Sequence, residues 1–306
     1  MNLYTLYLLQ HDTDDLGGLV DWGLSPGVQQ AVLGADGQVE PTFAAVADQA
    51  PTLRYATRAL ATHLDVLGVD GLAVSASPLY AWLQRNDALG RRATGNVHTK
   101  LTVNYGLLVP RRIRAVHNAP DGAQLDAECL FVWDGTNDPA VVAEAQTLPA
   151  SADEGAQEAY TIGPVSLNGT ELDGVQEITV DFGNAVDVRG EKGQVWPTWT
   201  GIRAQAPTVT IRVADVGALA DLGLTGQAQG ATDSEIFFRR LAPGGTRVTE
   251  ASAEHLKISM NAGRHHVTDV GARHGAWAEA TLVLTALESG GTAPLVVDTA
   301  ATIAAE

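Results

Sequence analysis

The amino-acid sequence repeats itself after about half its length. Residues 37–52 (GQVEPTFAAVADQAPT) return as residues 193–208 (GQVWPTWTGIRAQAPT), with nine of sixteen positions identical. Two unrelated residues match at roughly one position in sixteen, so nine matches without a gap exclude coincidence. The copies are 156 residues apart, which is the length of a domain and far more than a solenoid unit. The chain of 306 residues therefore predicts a duplicated domain.

Further blocks extend this match along most of the chain. Asp21-Trp22-Gly23 matches Asp181-Phe182-Gly183. The other matching blocks are 67–71 with 222–226, 79–85 with 234–240, 98–106 with 255–263, and 122–131 with 275–284. Because the separation varies only between 153 and 160 residues, we expect small insertions.

A change in composition marks the boundary between the two copies. Residues 134–158 hold six acidic residues and no basic one, with scattered glycine and proline. We predict one domain at 1–133, an acidic linker at 134–158 and a second domain at 159–288. Residues 289–306 then form a C-terminal arm, either an extra strand or a flexible segment.

Local patterns predict strands and one short helix in each copy. Alternating β-branched and polar residues predict strands at 177–182 (EITVDF) and 208–213 (TVTIRV). Apolar residues at helical spacing, each run followed by a glycine, predict helices at 60–67 and 213–222.

Two segments have the pattern of β-hairpins. Residues 257–270 place Asn261-Ala262-Gly263 between two alternating runs, and residues 100–113 place Asn104-Tyr105-Gly106 likewise. We expect the glycine of each segment to supply the positive φ of a tight turn. The predicted fold class is mainly β with a short helix per domain: two tandem β-sandwiches or partial barrels of about seven strands each.

Composition excludes several classes of protein. No uncharged apolar stretch approaches the ~20 residues of a membrane-spanning helix. The first residues lack a basic segment, so we expect neither membrane insertion nor a signal peptide. The single cysteine, Cys129, rules out an internal disulfide framework and is predicted to be a small core residue.

Residues that bear catalytic or metal-binding chemistry form no convincing site. The densest histidine group is His265, His266 and His274, but consecutive residues in a strand point to opposite faces. The acidic group at 12–15 lacks the later ligands of a calcium loop. We therefore predict no catalytic residue, no metal site and no cofactor.

Charge argues against a protein that grips nucleic acid. The net charge is −17 and only three lysines are present, so phosphates meet no basic stripe. A negatively charged wall would instead repel DNA and let it slide. Arg111, Arg112 and Arg114 form the tightest basic cluster, which we interpret as a rim of ion pairs between subunits.

Residues 175–287 resemble phage tail tube proteins in the order of their parts: a DFG strand, a GxxxPT segment, a short helix, a glycine-rich connection, a hairpin and a terminal strand. The fold of that family is an orthogonal β-sandwich with a flanking helix. Six such domains make a ring whose hairpins form a continuous inner β-barrel. In some long-tailed phages the subunit carries two copies, so three chains close a pseudo-hexameric ring.

The resemblance implies a virion structural protein of the siphophage tail, not an enzyme. Trimeric rings would stack into a DNA-ejection conduit with an acidic lumen, assembled in the cytoplasm of the host bacterium. The partners implied are further copies of the chain, other tail and baseplate proteins and the tape measure protein, while DNA passes without specific binding. Segments 257–270 and 100–113 would line the lumen, and segments 223–234 and 68–79 would reach the next ring. Arg111, Arg112 and Arg114 fit this arrangement only if they point away from the lumen or if the predicted hairpin is wrong.

Three other functions compete with this one. A baseplate hub or distal tail protein would form a single trimeric ring that does not stack. A head decoration or adhesion module would bind capsids or cells. An enzyme such as a β-sandwich carbohydrate hydrolase would need paired carboxylates, whereas Asp126 and Glu279 supply one acid per copy and indicate a solvent-facing or interface position.

Overall fold

The computed structural model describes residues 3–36, 39–149, 158–191, 193–214, 216–217, 229–230, 233–244, 246–272, 274 and 278–304. In this part of the chain the fold is mainly β, with several antiparallel sheets, one short helix and no closed barrel. The predicted mainly-β fold class is confirmed.

The first copy, repeat 1, begins with a strand at Leu3–His11. Its elements are β1 (Leu3–His11), β2 (Asp14–Leu16), β3 (Leu19–Ser25), β4 (Val28–Leu33), β5 (Phe43–Gln49), β6 (Thr52–Thr57), α1 (Leu60–Leu67), β7 (Leu72–Val74), β8 (Leu79–Asn86), β9 (His98–Val103), β10 (Gly106–Val116), β11 (Gln124–Phe131) and β12 (Ala140–Gln146).

The second copy, repeat 2, contains the same strands in the same order. They are β13 (Tyr160–Leu167), β14 (Thr170–Glu171), β15 (Val175–Asp181), β16 (Asn184–Arg189), β17 (Trp199–Gln205), β18 (Thr208–Val213), β19 (Gln229–Gly230), β20 (Ser234–Arg240), β21 (His255–Met260), β22 (Gly263–Gly271), β23 (Glu279–Ala286) and β24 (Val296–Ala301).

Each repeat has a sheet of its own, and the two repeats share a larger one. Strands β12-β9-β8-β1-β2 form the first private sheet and β24-β21-β20-β13-β14 the second, so the two sheets have the same order. The shared sheet runs β19-β22-β23-β18-β15-β10-β11-β6-β3, with β7 also paired to β10. It therefore contains two four-stranded units head to tail, β22-β23-β18-β15 and β10-β11-β6-β3.

Matching irregularities fix which residues correspond. The pairing of β10 with β11 skips Arg111, and the pairing of β22 with β23 skips Thr268 at the same place. Likewise the pairing of β3 with β6 skips Val20, and that of β15 with β18 skips Gln176. In these registers corresponding residues of the shared sheet lie 155 to 157 positions apart, and the separation is constant within each strand.

The registers correct two of the predicted correspondences. Asp21-Trp22-Gly23 is not the counterpart of Asp181-Phe182-Gly183, because Gly27 corresponds to Gly183. Both glycines have positive φ, +60° and +63°, and a Cβ on either would lie 2.1 Å from a backbone oxygen. Asp126 and Glu279 are not equivalent either, since Glu279 corresponds to Gln124.

The two predicted hairpins are wrong. Strand β9 pairs with β8 and β12, whereas β10 pairs with β11, β15 and β7, and repeat 2 follows the same rule. Segments 100–113 and 257–270 therefore cross from a private sheet to the shared sheet. Gly106 and Gly263 do not have positive φ. Glycine is required there because a Cβ would lie 2.3 and 2.4 Å from backbone oxygens of the neighbouring strand.

The predicted linker and arm each contain the last strand of a repeat. Strand β12, inside 134–158, pairs with β9, and β24, inside 289–306, pairs with β21. Residues 150–157 lie outside the described residues. The extra-strand alternative for the C-terminal arm is thus the correct one, and the duplication is longer than the sequence indicated.

Other local predictions hold closely. Strand β18 has the predicted bounds, and β15 ends one residue before the predicted end at 182. Helix α1 also has the predicted bounds, and it ends where the Gly68 N–H donates to the Leu64 carbonyl. Of the second predicted helix, Val213 is the last residue of β18, and most of the remainder lies outside the described residues.

The hydrophobic cores do not follow the boundary between the repeats. One cluster of buried side chains lies entirely in repeat 1 and includes Cys129, as predicted. Burial also raises the pKa of the Cys129 thiol. The other cluster joins repeat 2 to residues of α1, β10 and β11. Repeat 1 therefore supplies part of the core of repeat 2.

Candidate assembly interface

The two repeats meet along strands β10 and β15. Five residue pairs join them, from Arg112 opposite Asp181 to Val116 opposite Glu177. The side chains of Ile113 and Val180 face each other in this register and are fully buried. We call this contact the internal joint. It makes the shared sheet continuous across both repeats.

A hairpin of repeat 2 extends the internal joint over repeat 1. The hairpin consists of β16 and β17. Its Asn184 donates from Nδ2 to the carbonyl oxygens of Val69 (3.0 Å) and Pro110 (3.2 Å). Gln205 donates to the same Val69 carbonyl at 3.3 Å. Asn184 is 5% exposed, so the polar tip of its side chain is satisfied by backbone groups of the neighbouring repeat.

A buried carboxylate anchors this hairpin. Glu128 accepts a hydrogen bond from Arg54 Nε at 2.7 Å and from Arg111 Nε at 2.9 Å. Arg111 in turn donates to the backbone oxygen of Asn184. Burial alone raises the pKa of Glu128, but the hydrogen bonds and charges of Arg54 and Arg111 outweigh it and hold that pKa below its ordinary value. The ionised Glu128 thus fixes Arg111 against repeat 2.

The other two arginines of the cluster also pair within the chain. Arg112 binds Asp126 at 2.7 Å, and Arg114 binds Glu177 of repeat 2 at 2.9 Å. Both pairs are largely exposed and contribute little to stability. The sequence interpretation of a rim between subunits was therefore wrong: Arg111, Arg112 and Arg114 serve the internal joint and its surroundings.

A third contact of the internal joint lies on the side of the private sheets. Strand β24 of repeat 2 packs beside helix α1 of repeat 1. There Thr299 Oγ1 donates to Asp65 Oδ1 at 2.5 Å. Repeat 2 therefore uses β15, the β16–β17 hairpin and β24 to hold repeat 1.

In repeat 1 the counterparts of these elements are β3, the β4–β5 hairpin and β12, and all three expose apolar side chains. The hairpin makes one backbone hydrogen bond to repeat 2, from the Gln49 N–H to the Val195 carbonyl at 2.8 Å. Leu24 of β3 is 39% exposed, whereas its counterpart Val180 is fully buried. Val28 of β4 is 44% exposed, whereas its counterpart Asn184 is 5% exposed. Val142 of β12 is 62% exposed. These positions lie at one end of the shared sheet and beside it.

The opposite end of the shared sheet presents the complementary strand. Val270 of β22 is 47% exposed, while its counterpart Ile113 is fully buried in the internal joint. Strand β19 pairs with β22 only at Arg264 and His265, just as β7 pairs only with the first residues of β10. Within the part of the chain that the structure describes, no strand pairs with the outer edge of residues 269–271, which correspond to residues of β10 that bind β15.

The histidine and acidic groups weighed from the sequence as metal sites lie in separate places. His265 is buried and donates from Nδ1 to the Gly230 carbonyl at 3.0 Å, while His266 lies on the other side of β22. Asp12 lies in the tight turn between β1 and β2, and Asp15 lies on β2, where its carboxylate accepts from Gln10 Nε2 at 3.0 Å. Among the described residues no group of three or more His, Cys, Asp or Glu is placed to hold a metal ion.

Two depressions in the surface lie over the ion pairs near the internal joint. A depression of about 530 Å³ lies over Arg54, Glu128 and Asp21, and another of about 420 Å³ lies over Arg112, Asp181 and Asn184. In these depressions Arg54 and Arg111 pair with Glu128, and Arg112 pairs with Asp126. Asp21 and Asp181 instead accept from backbone N–H groups of Trp22 and Gly183. The paired groups are suited to holding two pieces of protein together.

Sequence reasoning missed Glu128, Asn184, Val28 and Val270. The signal in the sequence was a difference between the two copies. Gly27 and Gly183 correspond, but the next residue is Val28 in repeat 1 and Asn184 in repeat 2. That signal becomes visible only after the register is known.

Comparison of the chain with protein-family models gives no match, and comparison with curated protein sequences gives none either. Among the described residues no helix has the length and apolar character needed to cross a membrane.

Proposed function

We propose that this chain forms the tail tube of a long-tailed bacteriophage. Copies join head to tail, three copies close a ring of pseudo-sixfold symmetry, and rings stack into a conduit through which DNA leaves the head. Its partners are further copies, the other tail and baseplate proteins and the tape measure protein. The protein is assembled in the host cytoplasm and resides in the virion tail.

The shared sheet is the observation that carries this proposal. It already contains two four-stranded units head to tail, and its two ends are β22 and β3 apart from the short β19. Inside the chain, the counterparts of these two strands, β10 and β15, pair with each other. The same pairing between β22 of one copy and β3 of the next would continue the sheet. Exposed strand edges are otherwise prone to irregular aggregation.

Head-to-tail contacts either close into a ring or continue as a filament. The resemblance to tail tube proteins supplies the expected number: three copies bring six four-stranded units together. Segments 100–113 and 257–270 were expected to line the lumen. Only the second half of each lies in the shared sheet, as part of β10 and β22. Of the predicted ring-to-ring segments, 68–79 includes β7, and 223–228 lies outside the described residues.

The acidic lumen is part of the proposal, because the net charge of −17 opposes binding of DNA phosphates. The open face of the shared sheet also carries arginines that are paired with carboxylates. It carries Arg54 and Arg111 on Glu128, Arg112 on Asp126 and Arg114 on Glu177. If this face lines the channel, ion pairing neutralises arginines that would otherwise retain DNA.

Electron microscopy of the purified protein with image averaging tests the proposal. We expect rings of three chains with sixfold-like density around a central hole, and stacked rings at higher concentration. Single rings that never stack would favour a baseplate hub or distal tail protein. A closed particle without a channel would overturn the tube and favour a decoration or adhesion module.

A disulfide cross-link tests the joint between copies in the same preparation. Because Val180 lies opposite Ile113, the continued sheet places Leu24 of one copy opposite Val270 of another. The variant with Leu24→Cys and Val270→Cys should give covalent dimers and trimers on oxidation, since native Cys129 is buried. Val20→Cys with Val270→Cys is the control, because Val20 is also exposed but out of register. Equal cross-linking of the two variants would contradict this pairing.

A further inference from the structure

We propose that the β4–β5 hairpin of each copy seats on repeat 2 of the next copy, and that this contact is apolar where the internal joint is ionic. The inference rests on the proposed function, because it takes the occupant of the surface to be a second copy of this chain. It adds the chemistry that distinguishes the contact between copies from the contact within a copy.

The β4–β5 hairpin is the counterpart of the β16–β17 hairpin. Val28 pairs with Gln49 as Asn184 pairs with Gln205, and each hairpin skips one residue at the same place, Ala47 in β5 and Arg203 in β17. Both hairpins leave the shared sheet at a glycine of positive φ, as described for Gly27 and Gly183. The two hairpins therefore leave their repeats by the same backbone route.

Their surfaces differ in chemistry. The β4–β5 hairpin exposes five large apolar side chains that no described part of the chain covers: Val28 (44%), Val32 (53%), Leu33 (59%), Phe43 (53%) and Val46 (43%). A group of apolar side chains on one small hairpin marks an interaction surface more than a solvated one. In the other hairpin two of these five positions are polar, with Asn184 in place of Val28 and Arg189 in place of Leu33. The other three stay apolar, as Val188, Trp199 and Ile202.

The surface of repeat 2 that would receive the hairpin is also less polar than its counterpart in repeat 1. Arg111 of repeat 1 corresponds to Thr268 of repeat 2, and Glu128 corresponds to Val283. Pro110, whose carbonyl accepts from Asn184, corresponds to Val267. The ionic group Glu128–Arg111–Asn184 is thus replaced as a whole by Val283, Thr268 and Val28. Since these residues come from both sides of the contact, the replacement is complementary, and this identifies the occupant as a second copy.

One hydrogen bond of the internal joint has no counterpart. The Phe182 N–H donates to the Arg111 carbonyl at 3.0 Å, and the residue that corresponds to Phe182 is Pro26, which has no N–H. The contact between copies therefore depends more on apolar burial and less on polar pairing than the internal joint does.

A compensating pair of substitutions tests this inference. Val28→Asp places a carboxylate against Val267 and Val283 of the next copy, and we expect the apparent dissociation constant of the ring to rise at least tenfold. Thr268→Arg places a guanidinium where Arg111 lies in the other repeat. The variant with both substitutions should form rings with a dissociation constant within about threefold of the wild-type value, because the guanidinium supplies an opposite charge for the new carboxylate from the position that Arg111 has beside Asn184 in the internal joint. Sedimentation velocity over a range of concentrations measures all four proteins.

Two controls keep the result interpretable. Leu89→Asp changes a leucine that is 75% exposed in the turn after β8, and it should leave the dissociation constant unchanged. Circular dichroism shows whether Val28→Asp folds; if it does not, Val28→Asn takes its place. Rings of Val28→Asp as tight as wild type, or no recovery in the double variant, would overturn the inference alone. A wild-type chain that stays monomeric at every concentration would contradict the proposed function as well.

Discussion

Strands β10 and β22 have the same backbone but opposite surroundings. Both begin at a glycine pressed against a neighbouring carbonyl, and both skip one residue in pairing with the following strand. Yet Ile113 of β10 is fully buried, while Val270 at the same position of β22 is 47% exposed. The difference has no local cause: β10 has β15 beside it in the chain, and the corresponding part of β22 has no described neighbour. The exposed Val270 is the side chain that the proposed contact with a second copy would cover.

The chemistry of the two strands differs for a related reason. The repeats of one chain are linked, so the internal joint forms without the loss of translational freedom that association of separate molecules costs. It can therefore include a buried carboxylate, although removing charges from water is costly. A contact between copies must offset the cost of association and gains most from apolar burial. Glu128 fits the internal joint, and its counterpart Val283 fits the proposed contact between copies.

Alanine substitutions at Ile113 and Val270 test most directly whether β10 and β22 differ in packing. We expect Ile113→Ala to lower the free energy of unfolding of the dilute protein by about 3 kcal/mol, because it leaves a cavity in a packed core. Val270→Ala should lower it by less than about 0.5 kcal/mol while weakening ring formation. Urea unfolding monitored by circular dichroism measures the first effect and sedimentation the second. Similar losses of stability at both positions would show that β22 is packed within the isolated chain.

The ionic group offers the next largest effect. Arg111→Ala should lower the free energy of unfolding by about 2 kcal/mol, since Glu128 stays buried with only Arg54 to balance it. Arg112→Ala, one residue along the same strand, should cost less than about 0.5 kcal/mol because its pair with Asp126 is exposed. Thr268→Ala is the matched change in repeat 2 and should be equally mild. If Arg111 and Arg112 prove equal, the internal joint does not depend on the Glu128 group.

The contribution of the Glu128 charge to stability is the smallest of these effects, and it should shrink in acid. The pKa of Glu128 lies below its ordinary value in the folded chain, so ionised Glu128 stabilises the fold above the unfolded pKa of about 4.3 and this contribution is lost as the pH falls through the folded value. Glu128→Gln should therefore cost about 1.5 kcal/mol at neutral pH and progressively less below pH ~4. Urea unfolding of both proteins across this range is the measurement. A cost that does not change with pH would mean that shape, and not charge, is what Glu128 contributes.

The sequence was sufficient wherever a short pattern has one structural meaning. Alternating residues located β18, and helical spacing followed by Gly68 located α1. The duplication indicated that the two halves share a fold. These features depend on neighbours a few residues away, which the sequence displays directly.

The remaining features depend on partners that are distant in the chain. An Asn-x-Gly segment between two alternating runs has the same pattern whether the strands pair with each other or enter different sheets, so the hairpins at 100–113 and 257–270 were misread. The chance resemblance of Asp21-Trp22-Gly23 to Asp181-Phe182-Gly183 concealed a shift of four residues, the difference between offsets of 160 and 156. The partners of Arg111 and Arg114 lie 17 and 63 residues away, beyond any local pattern.

Residues of α1, β10 and β11 form part of the core of repeat 2, and this affects the order of folding during synthesis. Once Gln146 has left the ribosome, repeat 1 has every strand of its private sheet, but the inner side of α1 and the outer edge of β10 still lack their cover. Until β15 and β24 are made, a nascent chain exposes an unpaired strand edge at β10, of the kind that the described residues leave at β22. Neighbouring ribosomes on one message would bring such edges close together, and a premature exchange of repeats between chains is the characteristic error of tandem domains. Tethering favours the chain's own second half in this competition, because it keeps that half within reach of its site.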